Sequence, residues 1–251
     1  MKKHYDLIVI GSGPAGRSGA LQAAKLKKSV LVVERGRQLG GVSVHTGTIP
    51  SKTLRETVMN LSGWRERSFY GRSYRVKEEI KAEDLKSRLL KTLDHEVDVL
   101  EHQFTRNRVE ILMGEAKFVG TKGIEVTGND GERSSFTADK FLITTGTRPF
   151  RPDYIPFNDV NVLDSDEIIE LPRVPRSLVV IGAGVIGVEY ATIMQALDVH
   201  VTLIEPRDSF LDFIDKTMIQ EFTHEMREHG IDLRLGSSVS DVECKDDMVH
   251  V

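Results

Sequence analysis

The chain has 251 residues, 39% hydrophobic and 29% charged, with a formal net charge of −4. That length suits one large domain or two small ones, and that mixture belongs to an ordinary soluble globular protein. The mild acidity argues against a nucleic-acid or membrane surface, no apolar run approaches a membrane span, and the single cysteine, Cys244, excludes any intramolecular disulfide. One lone thiol fits a reducing compartment, hence a cytoplasmic location.

The start, Met1-Lys2-Lys3-His4-Tyr5-Asp6, is basic, but the apolar stretch Leu7–Ile10 is too short for a secretory signal core and reads as a first strand. Gly11-Ser-Gly13-Pro14-Ala15-Gly16 follows it, then a helix over Ala15–Lys27 and a second strand over Val30–Val33 that ends on Glu34. The pattern returns once. Ser177–Ile181 leads into Gly182-Ala-Gly184-Val185-Ile186-Gly187, a helix over Val185–Leu197, and a strand over Val201–Ile204 that ends on Glu205. The glycines superpose without a gap, as do Ala20 with Ala191, Leu26 with Leu197 and Val30 with Val201. The runs Ile8–Ile10 and Val179–Ile181 are continuously β-branched, as expected of buried parallel strands.

Each copy therefore predicts a strand, a glycine turn, a helix and a strand, the βαβ unit of a dinucleotide-binding fold. In such a unit the first glycine permits the tight turn, the second lets a pyrophosphate approach the backbone, and the third lets the helix pack close to the strand. The helix N-terminus offers free N–H groups and partial positive charge to the phosphates. The acid at the end of the second strand accepts hydrogen bonds from ribose hydroxyls. A single glycine motif is weak evidence; two in one chain, each behind a strand and each with its acid at the expected distance, are not a chance turn.

Between the copies, Gly40-Gly41-Val42-Ser43-Val44-His45-Thr46-Gly47-Thr48-Ile49-Pro50-Ser51-Lys52 suggests backbone wrapped closely around a ligand, with a helix starting at Pro50-Ser51. A lysine in a first helical turn opposes the helix dipole. Lys52 is thus either a functional residue or a solvated surface lysine. Leu85, Leu89, Leu93, Val97, Leu100 and Phe104 recur at helical spacing and predict a long amphipathic helix over Ala82–Arg106, used for core packing. His95 and His102 lie on it as solvated residues rather than metal ligands, and no metal site is expected. Val109–Met113 and Ala116–Val119 read as strands. Gly123–Val126 and Ser134–Thr137 read as a hairpin around Asn129-Asp130-Gly131, and Phe141–Gly146 as a further buried strand. Arg148–Pro156 reads as a crossing between domains, and Asp164-Ser-Asp-Glu167 has helix-capping character.

These motifs together resemble the pyridine nucleotide–disulfide oxidoreductase superfamily. The likeness covers essentially the whole chain and rests on Gly11–Gly16 with Glu34, on Gly40–Lys52, on Thr144–Pro149, and on Gly182–Gly187 with Glu189-Tyr190-Ala191. It implies an α/β fold of two Rossmann-like (FAD/NAD(P)-binding) three-layer domains, C-terminally truncated. Residues 1–155 would form the FAD-binding segment and 156–251 an incomplete NAD(P)-binding domain. It also implies FAD at the first motif and NAD(H) or NADP(H), as substrates, at the second. By the same resemblance the FAD contacts are Gly11, Gly13, Pro14, Ala15, Gly16, Glu34, Arg35, Gly40, Gly41, Val42, Ser43, Gly47, Thr48, Lys52, Ala116, Thr145 and Gly146. The nicotinamide nucleotide contacts are Gly182, Gly184, Val185, Ile186, Gly187, Glu189, Glu205 and Arg207.

In that family the positions of Ser43 and Thr48 normally carry the two cysteines of a redox disulfide. A hydroxyl cannot pass two electrons by disulfide exchange, so the usual reduction of lipoamide, glutathione or mercuric ion is excluded. Direct hydride exchange between nicotinamide and flavin remains. Thr46–Glu56 is very similar to the signature of the family's soluble transhydrogenase branch, although that branch usually keeps a cysteine where Ser43 stands. The resemblance gives Lys52 a role. It would sit by the flavin N5 and pair with Glu189, and these two are the expected catalytic residues. NADPH would reduce FAD and leave, and NAD+ would enter the same site to collect the hydride. Glu205 suits a free 2′-hydroxyl; Arg207 either answers a 2′-phosphate or is a surface residue. Full-length relatives are homodimers nearly twice as long, so the dimer domain is expected to be absent from this chain.

Overall fold

The computed structural model describes residues 3–71, 73–245 and 248–251; Met1 and Lys2, part of the basic start, lie outside them. The chain divides into two compact units, Met1–Pro50 with Lys91–Arg148, and Ser51–Leu90 with Pro149–Val251.

In chain order the first stretch holds β1 (Lys3–Ile10), α1 (Pro14–Lys25), β2 (Val30–Glu34), α2 (Gly41–His45) and α3 (Thr48–Leu61). A short α4 (Arg67–Tyr70) and the long α5 (Ala82–Arg106) follow, then β3 (Glu110–Phe118), β4 (Gly123–Gly128) and β5 (Arg133–Ile143). Both ends of α5 fall where the apolar spacing puts them. In the first unit β1 lies between β2 and β5, parallel to both; β2 continues to β3 in parallel, and β4 joins β3 to β5 antiparallel, closing a ring of five strands. One face packs Val9, Val30 and Val32 with Ala20 of α1 and Leu100 and Phe104 of α5; the other gathers Tyr5, Ile8, Leu31, Val33, Ile124, Val126 and Ala138.

Two expectations are corrected here. The strands predicted at Val109–Met113 and Ala116–Val119 are one strand, β3, and the hairpin arm at Ser134–Thr137 runs without a break into the strand predicted at Phe141–Gly146, forming β5, which stops at Ile143 and leaves that residue 62% exposed rather than buried. Each changes partner midway: β3 leaves β2 after Met113 and takes β4 from Gly114, and β5 leaves β4 after Thr137 and follows β1 to Ile143. Also, α3 begins at Thr48, two residues before the predicted start. Pro50 still falls within its first turn, where no intrahelical N–H is required.

The second unit contains β6 (Ser177–Ile181), α6 (Val185–Gln195), β7 (His200–Glu205), α7 (Lys216–Glu228) and β8 (Asp232–Leu235), with the three strands parallel in the order β6-β7-β8. A two-stranded ribbon, β9 (Glu243–Lys245) with β10 (Met248–His250), follows. The core joins Val188, Ala191 and Met194 of α6 to Val201 and Leu203 of β7 and to Phe210, Ile219 and Met226. Val179 and Ile181 are 40% and 43% exposed, so β6 is not the buried strand its sequence suggested; among the described residues it pairs with β7 alone. Both Rossmann helices stop two residues short of the predicted ends. Lys27 and Asp198 take positive φ (62° and 63°), and Lys28 and Val199 donate back to Ala23 and Met194, a left-handed stop used twice. Among the described residues no helix is long and apolar enough to cross a membrane.

Candidate functional site

The two glycine motifs are the same object built twice, 171 positions apart. The register of the strand pair is the same in each, Leu7 lying beside Val30 and Leu178 beside Val201. In each, the first glycine turns the chain with positive φ, 104° at Gly11 and 102° at Gly182, a region closed to most side chains. Its N–H donates to the second strand at 2.8 Å, to the Val33 carbonyl and to the Ile204 carbonyl. The third glycine is a steric necessity: a Cβ at Gly16 would stand 1.9 Å from the Gly11 carbonyl oxygen, and one at Gly187 2.1 Å from that of Gly182.

The acids complete each unit. The Glu34 carboxylate accepts the Ser12 N–H at 2.8 Å and the Gly36 N–H at 2.7 Å; that of Glu205 accepts the Ala183 N–H at 2.9 Å and the Arg207 N–H at 3.2 Å. Each acid is thus tied to its own glycine turn. Glu205 is only 5% exposed, and the Arg207 guanidinium, with the Ala183 and Arg207 N–H groups, holds its carboxyl down at about 2.

Both copies leave the N-terminus of their helix open. Gly13 and Gly184 are the N-caps of α1 and α6, with no capping side chain and no acid in either first turn, so the helix N–H groups and their positive potential face outward. A Cβ at Gly13 would have no neighbour nearer than 4.0 Å, and one at Gly184 none within 4 Å. That open space admits a pyrophosphate. Pro14 and Ala15 start α1, while Val185 and Ile186, each 56% exposed, start α6.

The remaining predicted contacts of the first unit arrange as follows. Gly40 caps α2 and Gly41 opens it, its Cα region close to Gly13, where an added Cβ would stand 3.1 Å from the Gly13 Cα. Val42 and Ser43 lie on α2, the Ser43 hydroxyl donating to the Gly40 carbonyl at 3.3 Å. Gly47 donates to the Val42 carbonyl, and Thr48 begins α3. Arg35 is exposed beyond Glu34. Ala116 lies on β3 three residues past Met113, the partner of Glu34. Thr145 and Gly146 are exposed just after β5.

Two residues of the sequence motifs that are not among the expected contacts hold this site together. The Ser12 hydroxyl donates to Glu34 at 2.6 Å and accepts the Gly40 N–H at 2.9 Å, bridging the acid, the turn and the wrapping segment. The Thr144 hydroxyl lies 3.0 Å from the carbonyls of both Ile10 and Gly11, and Thr144 N–H donates to Ile10. Ser12 stands between the first two glycines of the motif, and Thr144 adjoins the predicted contacts Thr145 and Gly146.

In the second unit Lys52, on α3, forms an ion pair with Glu189 on α6. The Lys52 side chain is 60% exposed and that of Glu189 17%. Next to Glu189, the Tyr190 ring is buried, its hydroxyl makes no hydrogen bond among the described residues, and desolvation pushes its pKa up. The Arg207 Nε donates to Glu205 at 2.7 Å and its Nη1 to Asp212 at 3.0 Å.

The profile of the pyridine nucleotide-disulphide oxidoreductase family matches residues 5–251. A soluble pyridine nucleotide transhydrogenase from Mycobacterium bovis (strain BCG / Pasteur 1173P2) is 47% identical over 96% of this chain and 52% of its own length. One from Colwellia psychrerythraea is 37% identical over 98% of this chain and 53% of its own length. Among solved structures, LpdA from Mycobacterium tuberculosis superposes with a TM-score of 0.87 at 22% identity, covering 98% of this chain and 54% of that one, which speaks for the fold. The chain spans about half the length of the curated relatives it matches. With two copies of one dinucleotide lattice and a family profile over nearly its whole length, the chain belongs to the pyridine nucleotide-disulphide oxidoreductase family.

Proposed function

We propose that this chain is the nucleotide-binding part of an FAD-dependent oxidoreductase that passes hydride between NADPH and NAD+. The observation that carries this reading is the doubled acid–glycine lattice, joined to a wrapping segment with hydroxyls at Ser43 and Thr48 where the family's disulfide belongs. Residues 1–155 would hold FAD at Gly11–Gly16 and Glu34, and residues 156–251 would supply NAD(P) contacts at Gly182–Gly187, Glu205 and Arg207. The transhydrogenase names of relatives at 47% and 37% identity support the same assignment.

When bound, a flavin supplies a two-electron relay between one nicotinamide and the next. The protein's part is binding, orientation and charge. The N-termini of α1 and α6 take the pyrophosphates, and Glu34 and Glu205 take the ribose hydroxyls. Lys52 supplies positive charge to the hydride step, and Glu189 holds that ammonium in place. The whole protein is read as a cytoplasmic homodimer that binds no nucleic acid.

The test is hydride transfer from NADPH to a thio-analogue of NAD+, followed by absorbance, on this chain and on a full-length version. Transfer by the full-length protein supports the reading, and its absence there defeats it. In the full-length protein Lys52→Met should slow transfer about a hundredfold, the usual scale for losing one electrostatic stabiliser, while nucleotide affinity holds.

A further inference from the structure

We infer that Asp212 is a positioning residue that sets the preference between NAD+ and NADP+ by restraining Arg207. The inference rests on the nucleotide reading of the second motif given above.

The internal repeat isolates the feature. Arg207 and Asp212 stand 171 positions after Gly36 and Gly41. The backbone correspondence extends this far: Gly36 N–H and Arg207 N–H both donate to the acid of their copy, and Gly40 and Leu211 both take positive φ, 117° and 52°. Two glycines of the first copy are thus an arginine and an aspartate in the second, set upon an otherwise shared acid. The loop needs neither charge in order to form, since the first copy forms without them. Nor does the pair add much to stability, because the Arg207 and Asp212 side chains are 54% and 61% exposed.

The charges act instead on what binds at Glu205. A buried carboxylate accepts from a free 2′-hydroxyl and repels a 2′-phosphate, which needs a guanidinium. Arg207 is the cation beside it, but its Nε is committed to Glu205 and its Nη1 to Asp212. A 2′-phosphate that takes up the guanidinium shares it with the Asp212 carboxylate, which sets its position and offsets its charge, whereas a 2′-hydroxyl makes no demand on that pairing. Asp212 therefore competes with the extra phosphate of NADP+ for one guanidinium and leaves NAD+ unaffected.

The experiment titrates NAD+ and NADP+ separately, by calorimetry, into the full-length version and its Asp212→Asn, Arg207→Met and doubly substituted forms. Asp212→Asn should tighten NADP+ about three- to fivefold, the scale of an exposed ion pair, and keep NAD+ within about twofold. Arg207→Met should weaken NADP+ selectively, and in its background Asp212→Asn should have no further effect. An unchanged NADP+ affinity in Asp212→Asn, an equal change for both nucleotides, or an effect that persists without Arg207 overturns the inference while the nucleotide reading stands. A parent chain that binds neither nucleotide overturns both.

Discussion

Glu34 and Glu205 play one structural part in two places: each accepts the N–H between the first two glycines of its own motif and a second N–H two residues beyond itself. The acid that ends the second strand is therefore fixed by the glycine turn before the helix, and neither element can shift alone.

The third glycines should separate the two sites. Alanine at Gly16 or Gly187 puts a Cβ close against a carbonyl oxygen, at 1.9 and 2.1 Å respectively, which the helix can relieve only by moving off its strand. Each substitution should cost about 1–3 kcal/mol. Gly16→Ala should abolish flavin retention, read from the visible absorption of the purified chain, and Gly187→Ala should abolish nucleotide binding with flavin kept. Identical effects of the two variants on both ligands would contradict the assignment of one ligand to each copy.

Ser12 should matter in the first copy in a way that Ala183 shows to be dispensable in the second. Ser12→Ala removes the bridge from Glu34 to the Gly40 N–H. The expected loss is about 1 kcal/mol in unfolding free energy, with weaker flavin retention. Chemical denaturation gives the first and flavin absorbance per chain the second; a variant that matches the parent in both would show the bridge to be idle.

Acid should act through Glu205. Its carboxyl lies at about 2 when folded, against an ordinary 4.5, so protons bind the unfolded chain more readily. The stabilisation is fully present above pH 4.5 and is lost as pH falls through about 2. Denaturation midpoints at pH 7, 4 and 3 should converge between the parent and Glu205→Gln as pH drops. Parallel decline of the two proteins would exclude this group as the source.

Tyr190→Phe should leave stability unchanged or slightly raised, because a buried hydroxyl that makes no hydrogen bond among the described residues gains nothing for the fold. A loss above about 1 kcal/mol in thermal or denaturant unfolding would reveal a partner for that oxygen.

Much of this is legible in the sequence, for reasons that differ by element. The βαβ units announce themselves because turn, phosphate approach and helix packing each demand glycine at a fixed place. The stripe on α5 is legible because one face stays apolar along the whole helix. The unity of β3 and of β5 is not. Gly114 resembles an end, but it is where β3 exchanges β2 for β4, and an added Cβ there would stand 2.5 Å from the Thr127 carbonyl oxygen. A strand that changes neighbours changes its pattern of burial and so reads locally as two. Ser12 and Thr144 stand within legible motifs, but their roles do not show there because those roles lie in hydrogen bonds to residues far along the chain.

The five-strand ring also sets the order in which the chain can fold. Ile10 of β1 meets Val33 of the very next strand, but its other neighbour, Ile143, closes the last strand of the unit. During synthesis β1 therefore stays half-paired until β5 leaves the ribosome, whereas β6 and β7, separated only by α6, meet as soon as they emerge. The first glycine-motif unit is therefore slower to close its sheet than the second.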